Sequence, residues 1–382
     1  MSLLKYWLWL ATRTGIGAAR AKLVLEHFGT PENVYHARDR DYLDVEGIKA
    51  DDIKQLMIKE LDTANSIISS CKETGCRAIA LGDSEYPERL RNIYNPPLVL
   101  YVKGNLPYID EEPVFGVVGT RRCTLYGERT ADKVGFSLSR SGIIVTTGLA
   151  LGVDTVATIG ALRGGTPVIG VVGSGLDIIY PPGNKSLFKD VENYGAIISE
   201  YPPGTFAVKT HFPARNRIIS GISLGIAVIE APLKSGALIT ASRALEQGRD
   251  VFSLPGNVDA ATCEGSNALL REGAIPFVSA EDIIDEYIDL YPDKINISKE
   301  TESKKSFDNR HKVDYIGLGN LLTKYDGNER VVLESIGLKS LHTDEIISDT
   351  GMSAQNVLTT LTVLELNGCV LRNKNGKWEI NG

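Results

Sequence analysis

A chain of 382 residues exceeds one ordinary compact unit, and its 43% hydrophobic and 23% charged residues mark a soluble globular protein of two or three domains. A net charge of −7 excludes polyanion binding through overall charge, so any nucleic-acid contact must come from a local arrangement of Arg and Lys. The apolar stretch Tyr6 to Ala11 is too short to cross a bilayer and has no secretory-signal layout, which predicts a cytoplasmic protein with no membrane contact.

Residues 1–75 read as short helices separated by glycine turns. Thr14-Gly15-Ile16-Gly17-Ala18-Ala19 joins two apolar-periodic stretches, and Val45-Glu46-Gly47-Ile48-Lys49 repeats the pattern about thirty residues on. Such turns either expose backbone N–H groups that hold a phosphate, as in helix-hairpin-helix modules, or simply connect two helices. The cysteines, Cys71, Cys76, Cys123, Cys263 and Cys369, are scattered and form no CxxC pair, which predicts free thiols.

From residue 76 to 290 apolar runs alternate with helical segments. Val114–Val118, Ile143–Thr147, Val168–Val172, Ala196–Ser199, Gly225–Ile229 and Val251–Leu254 are β-branched and nearly continuous, as parallel strands buried on both faces require. The pattern predicts a doubly wound, mostly parallel α/β sheet of Rossmann type, with residues 77–81 and 96–102 adding strands to one edge. Residues 291–325 are polar and read as a linker. Residues 326–382 follow the order helix, turn, helix, hairpin, with Asn375-Gly376 as the hairpin turn, and so predict a winged helix-turn-helix. Its second helix, Ala354 to Asn367, carries no Lys or Arg, which favours protein contact at least as much as DNA reading.

Chemistry concentrates after the strands. Gly119-Thr120-Arg121-Arg122 follows the first and Gly148-Leu149-Ala150-Leu151-Gly152-Val153-Asp154 the second. The third leads into Gly173-Ser174-Gly175-Leu176-Asp177 and Tyr180-Pro181-Pro182-Gly183-Asn184-Lys185, and the fifth into Lys234-Ser235-Gly236-Ala237. These loops lie at the carboxyl edge of one sheet, where open α/β folds bind ligands, and predict an anion-binding rim of glycines and helix N-termini. Ahead of the next helix, Lys209-Thr210-His211-Phe212-Pro213-Ala214-Arg215-Asn216-Arg217 packs three cations, an aromatic and an amide together. Arg suits phosphate, and Phe offers a face to a base. Of Arg215 and Arg217, one is expected to pair with Glu200 or Glu230 and the other to face the ligand.

Together these strings, with Phe212-Pro213-Ala214-Arg215-Asn216-Arg217 and Ser235-Gly236-Ala237-Leu238-Ile239-Thr240-Ala241, resemble the bacterial DNA-processing protein A family (DprA, also called Smf). The resemblance covers residues 76 to 290 closely, and the flanks resemble the family's SAM-like N-terminal and winged-helix C-terminal additions. It implies an extended Rossmann domain that binds single-stranded DNA and catalyses nothing. It also implies a homodimer that protects incoming DNA in natural transformation and helps load a RecA-type recombinase. By the same resemblance, Arg121, Lys209, Phe212, Arg215 and Asn216 line the DNA pocket. With the loop readings, the candidate DNA-binding set is Gly119, Thr120, Arg121, Ser174, Gly175, Lys185, Lys209, Phe212, Arg215, Asn216, Arg217 and Gly236. Leu151 and Thr158 stand where many members have Arg and His.

The rival reading is a nucleotide phosphoribohydrolase resembling the lysine-decarboxylase-like (LOG) family. There the loop comparable to Ser235–Arg243 carries a catalytic Glu, and Arg243 occupies its place here. No Ser-His-Asp order, metal-ligand cluster, P-loop lysine or GxGxxG turn is present, and no cofactor is implied.

Overall fold

The computed structural model describes residues 3–296, 325–337, 340–373 and 376–380. Most of the 291–325 linker, and Asn375 of the hairpin turn, lie outside the described residues.

Nine strands form one sheet: β1 (Arg77–Ala80), β2 (Val99–Gly104), β3 (Val114–Val118), β4 (Ile144–Thr147), β5 (Val168–Val172), β6 (Ala196–Ser199), β7 (Gly225–Val228), β8 (Asp250–Ser253) and β9 (Ile275–Pro276). Their spatial order is β1-β2-β6-β5-β4-β3-β7-β8-β9. From β6 to β9 neighbours run parallel, while β2 joins β6 antiparallel and β1 joins β2 antiparallel. The apolar runs form central strands because both faces are covered: β3, β4 and β5 show no exposed residue. The sheet is therefore α/β and Rossmann-like, with the two N-terminal strands on one edge as the sequence predicts. The short strand β9 is not foreseen, since two residues carry no periodic signal.

The helices Leu125–Arg140, Val153–Gly164 and Lys185–Tyr194 contribute to one apolar cluster. Helices His211–Ile222, Gly236–Glu246 and Glu264–Arg271 contribute to the other. The N-terminal helices, from Leu4–Ala11 to Asp62–Thr74, bury Trp7, Leu8, Trp9 and Leu10 in the first cluster, continuous with Ala80, Val99 and Tyr101 of β1 and β2.

The topology explains where a ligand fits. The chain builds β3, β4, β5 and β6 outward in one direction, then returns to place β7 on the other side of β3. The helix after β3 packs on one face and the helix after β7 on the other, so the sheet splits open at the carboxyl ends of these two strands.

The C-terminal helices Gly327–Ile336, Thr343–Thr350 and Ala354–Leu366 and the antiparallel pair β10 (Val370–Arg372) and β11 (Trp378–Ile380) enclose their own core of Leu333, Ile346, Leu361 and Trp378. This is the winged helix. Its second-motif helix exposes Leu358 and Leu366 in place of the cations a DNA-reading helix would carry.

The candidate nucleic-acid cleft

A cleft of about 530 Å³ opens at the β3–β7 switch point, within the size range of small-ligand sites. Four of its walls come from one helix. Phe212, Arg215, Asn216 and Ile219 all line it, and their spacing of three, four and seven residues places them on a single helical face. The sequence places this cationic segment ahead of a helix; the structure corrects that, starting the helix at His211. Pro213 does not prevent it, because a first-turn residue has no intrahelical N–H bond to lose.

The same geometry separates the two arginines. Two residues along a helix is about 200° of rotation, so Arg217 turns away from the cleft. It pairs with Glu200 through two contacts of 2.6 and 2.8 Å and donates to the Asn95 carbonyl. Arg215 is buried on the cleft floor, where Nη1 donates to the carbonyls of Gly148 (2.8 Å) and Val171, and Nε to the Asn216 side chain (3.2 Å). Asn216 in turn donates to the Gly236 carbonyl at 3.1 Å, tying this helix to the next wall.

Beside Arg215 lies Asp154, only 6% exposed, whose carboxylate accepts the N–H groups of Gly148 (3.0 Å) and Ala150 (3.4 Å). Burial pushes its pKa up to about 6, against the opposing pull of Arg215. Burial likewise brings the Arg215 guanidinium down to about 10, resisted by Asp154. Gly148 is confined between them: a Cβ there would stand 2.5 Å from the guanidinium and 2.7 Å from the carboxylate. Asp154 is absent from the candidate set, and the signal that could have found it is its place at the end of the Gly148–Asp154 loop.

For an anion bound in this cleft, the buried acid would make the binding pH-dependent. A phosphate there would oppose the Asp154 carboxylate and raise its pKa further, so binding would take up a proton and strengthen as pH falls through about 6. A complex that raises it by one unit binds about tenfold tighter below that range than above it. Titrations between pH 5 and 8 should show the rise in the parent and not in Asp154→Asn; equal slopes in both would remove Asp154 from the linkage.

At the mouth, Arg121 is exposed and its guanidinium lies 5.3 Å from the centre of the Phe212 ring. Arg122 and Lys234 add two more exposed cations to the lining. Gly236 opens the Gly236–Glu246 helix, with nothing within 4 Å of where its Cβ would stand, so a ligand can approach this helix start. Two other rim elements are spent internally. The Leu125–Arg140 helix start is occupied by Glu230, whose carboxylate accepts from the Thr124 backbone N–H (2.9 Å) and hydroxyl (2.6 Å). Gly119 gives room for Val153 and not for a ligand.

Of the candidate residues, the fold brings Gly119, Thr120, Arg121, Phe212, Arg215, Asn216 and Gly236 into the cleft. Ser174 and Gly175 are buried: the Ser174 hydroxyl donates to the Ile178 carbonyl, and the Gly175 N–H to that of Thr205. Lys185 and Lys209 are exposed on neighbouring segments and do not line the cleft. At Thr158 the hydroxyl donates to the Asp154 carbonyl, a helix-internal role. In the N-terminal module, Asp52 accepts from the Lys49 N–H at 3.0 Å and pairs with Arg20, so the second glycine turn has its own carboxylate at the helix start. All five cysteines are free, and no cluster of His, Cys, Asp and Glu among the described residues could hold a metal ion. Among these residues, no helix is long and apolar enough to cross a membrane.

A family model described as DNA recombination-mediator protein A matches residues 77–288, and one described as the DprA winged helix domain matches residues 322–376. Protein Smf of Synechocystis sp. is 38% identical over 284 residues, covering 73% of this chain and 71% of its own. The DNA processing protein DprA of Streptococcus pneumoniae is 42% identical over 205 residues, covering 54% of this chain and 72% of its own. The X-ray structure of the S. pneumoniae protein superposes with a TM-score of 0.64 at 35% identity, covering 74% of this chain and 97% of that one. A structure of DNA processing protein A from Helicobacter pylori, described as giving insight into that protein's single-stranded DNA binding mode, superposes with a TM-score of 0.52 at 28% identity, covering 56% of this chain and 97% of that one. With the Rossmann-like sheet and the winged helix both matched in order, this chain belongs to the DNA recombination-mediator protein A (DprA/Smf) family.

Proposed function

We propose that this protein binds single-stranded DNA in the β3–β7 cleft and catalyses no reaction. The observation that carries the reading is the cleft mouth, where the Arg121 guanidinium sits over the Phe212 ring beside an accessible helix start at Gly236. That combination offers a charge-assisted phosphate contact and a base-stacking face in one place. The single-strand binding mode named for the H. pylori relative supports it. Against an enzyme, Glu200 is held by Arg217 and Glu230 caps a helix, while Arg243, standing where the rival family's Glu would be, pairs with Glu246. Working in the cytoplasm as a homodimer, the protein would protect incoming DNA and hand it to a RecA-type recombinase during natural transformation. Lys209 and Lys185, exposed outside the cleft, would meet the strand as it leaves.

The full-length protein should bind poly-dT more tightly than a matched duplex, with log affinity falling against log salt at a slope of about −0.7 per phosphate contacted. Equal affinity for duplex, or no dependence on salt, would remove the phosphate-cradle model. Release of base from nucleoside monophosphates would favour the phosphoribohydrolase.

A further inference from the structure

Tyr180 stands on the loop after β5, outside every role described so far. Its ring is 41% exposed, and its hydroxyl has no hydrogen-bond partner among the described residues. A tyrosine held for the fold looks different: Tyr86 and Tyr42 are buried, and each hydroxyl donates to a backbone carbonyl. What Tyr180 does contact is Phe212, with ring centres 5.5 Å apart and planes inclined by 34°. Arg121 lies over the same Phe212 ring. Arg121 and Tyr180 therefore both lie against Phe212, which lines the cleft, and the Tyr180 side chain, itself outside the cleft lining, is open to solvent.

We infer that Tyr180 forms a second base-stacking subsite, taking the nucleobase next to the one at Phe212 as the strand leaves the cleft. The inference rests on the single-stranded DNA reading above. At 5.5 Å the two rings are too close to admit a base between them, so the second base stacks on the outer, exposed face of Tyr180. Recognition here is of any base through its π-face, which adds affinity without sequence preference. Because the contact carries no charge, it leaves the count of neutralised phosphates unchanged.

The test uses the full chain and dT oligonucleotides carrying one 2-aminopurine, whose fluorescence is quenched by stacking. Tyr180→Ala should weaken binding by about 5- to 150-fold, the worth of one stacked base, with the salt slope unaltered. It should also lose the quenching at one position along the oligonucleotide. Tyr180→Phe should retain both, since the hydroxyl is unused, whereas Tyr180→Leu keeps an apolar contact to Phe212 and should behave like Tyr180→Ala. A folded Tyr180→Ala that binds and quenches as the parent does overturns the subsite and leaves the DNA reading standing. A parent that fails to bind dT at all overturns both.

Discussion

Arg215→Met should destabilise the protein by roughly 1–3 kcal/mol for each buried acceptor left without its donor, with a further loss from removing the positive charge near the buried Asp154. Asp154, almost wholly buried, would lose the guanidinium beside it, and the carbonyls of Gly148 and Val171 would lose their donor. Adding Asp154→Asn should recover the electrostatic part of the loss, since Asn keeps an acceptor for the Gly148 N–H and brings no charge. Urea denaturation at constant m-value measures the series. The account of the cleft floor is wrong if Arg215→Met unfolds within about 0.5 kcal/mol of the parent, the level of an ordinary surface change.

Arg121→Ala should weaken single-strand binding by roughly 1.5–3 kcal/mol, one hydrogen bond to a charged group, and make the salt slope shallower by about 0.7, one phosphate's share. Phe212→Ala should cost roughly 1–3 kcal/mol through the lost base stack and leave the slope alone. The two losses will not simply add, because the guanidinium already lies over the ring in the free protein, a contact worth about 0.5–1 kcal/mol at an exposed site. A base that takes the ring must compete with Arg121 for it. Double-mutant titrations read the coupling; strict additivity would show that cation and base use different parts of the ring. Thermal unfolding comes first, since Phe212 is half-buried against Tyr180. If both single variants fold normally and bind as the parent does, the cleft is not the DNA site.

The anion rim shows why a local pattern overstates a site. Glycines after successive strands read alike in sequence, yet Gly148 is a packing requirement between Arg215 and Asp154, while Gly236 opens onto space. Nothing in either tripeptide distinguishes them, because the group that would clash with a Cβ comes from elsewhere in the chain. Glu230 is a second instance. It lies 106 residues from Thr124 and takes the helix start that a ligand would otherwise use.

What the sequence determined by itself is the longer strands and helices and their order along the chain. Continuous β-branched runs such as Val114–Val118 and Val168–Val172 can satisfy their burial only as central parallel strands, so the Rossmann-like sheet and its carboxyl-edge loops follow from local pattern. The winged helix follows from the same kind of pattern, as does the absence of cations from its Ala354–Leu366 helix. The tertiary structure decided which side chains meet. The helix start at His211 fixed the rotation that sends Arg215 into the cleft and Arg217 to Glu200. The return of the chain from β6 to β7 decided that Gly236 would face Arg121 across one crevice while Ser174 and Gly175 were sealed beside it. Hydrophobic periodicity is a property of neighbours in the chain, whereas a site is made by residues far apart in sequence, and only the packed sheet brings those together.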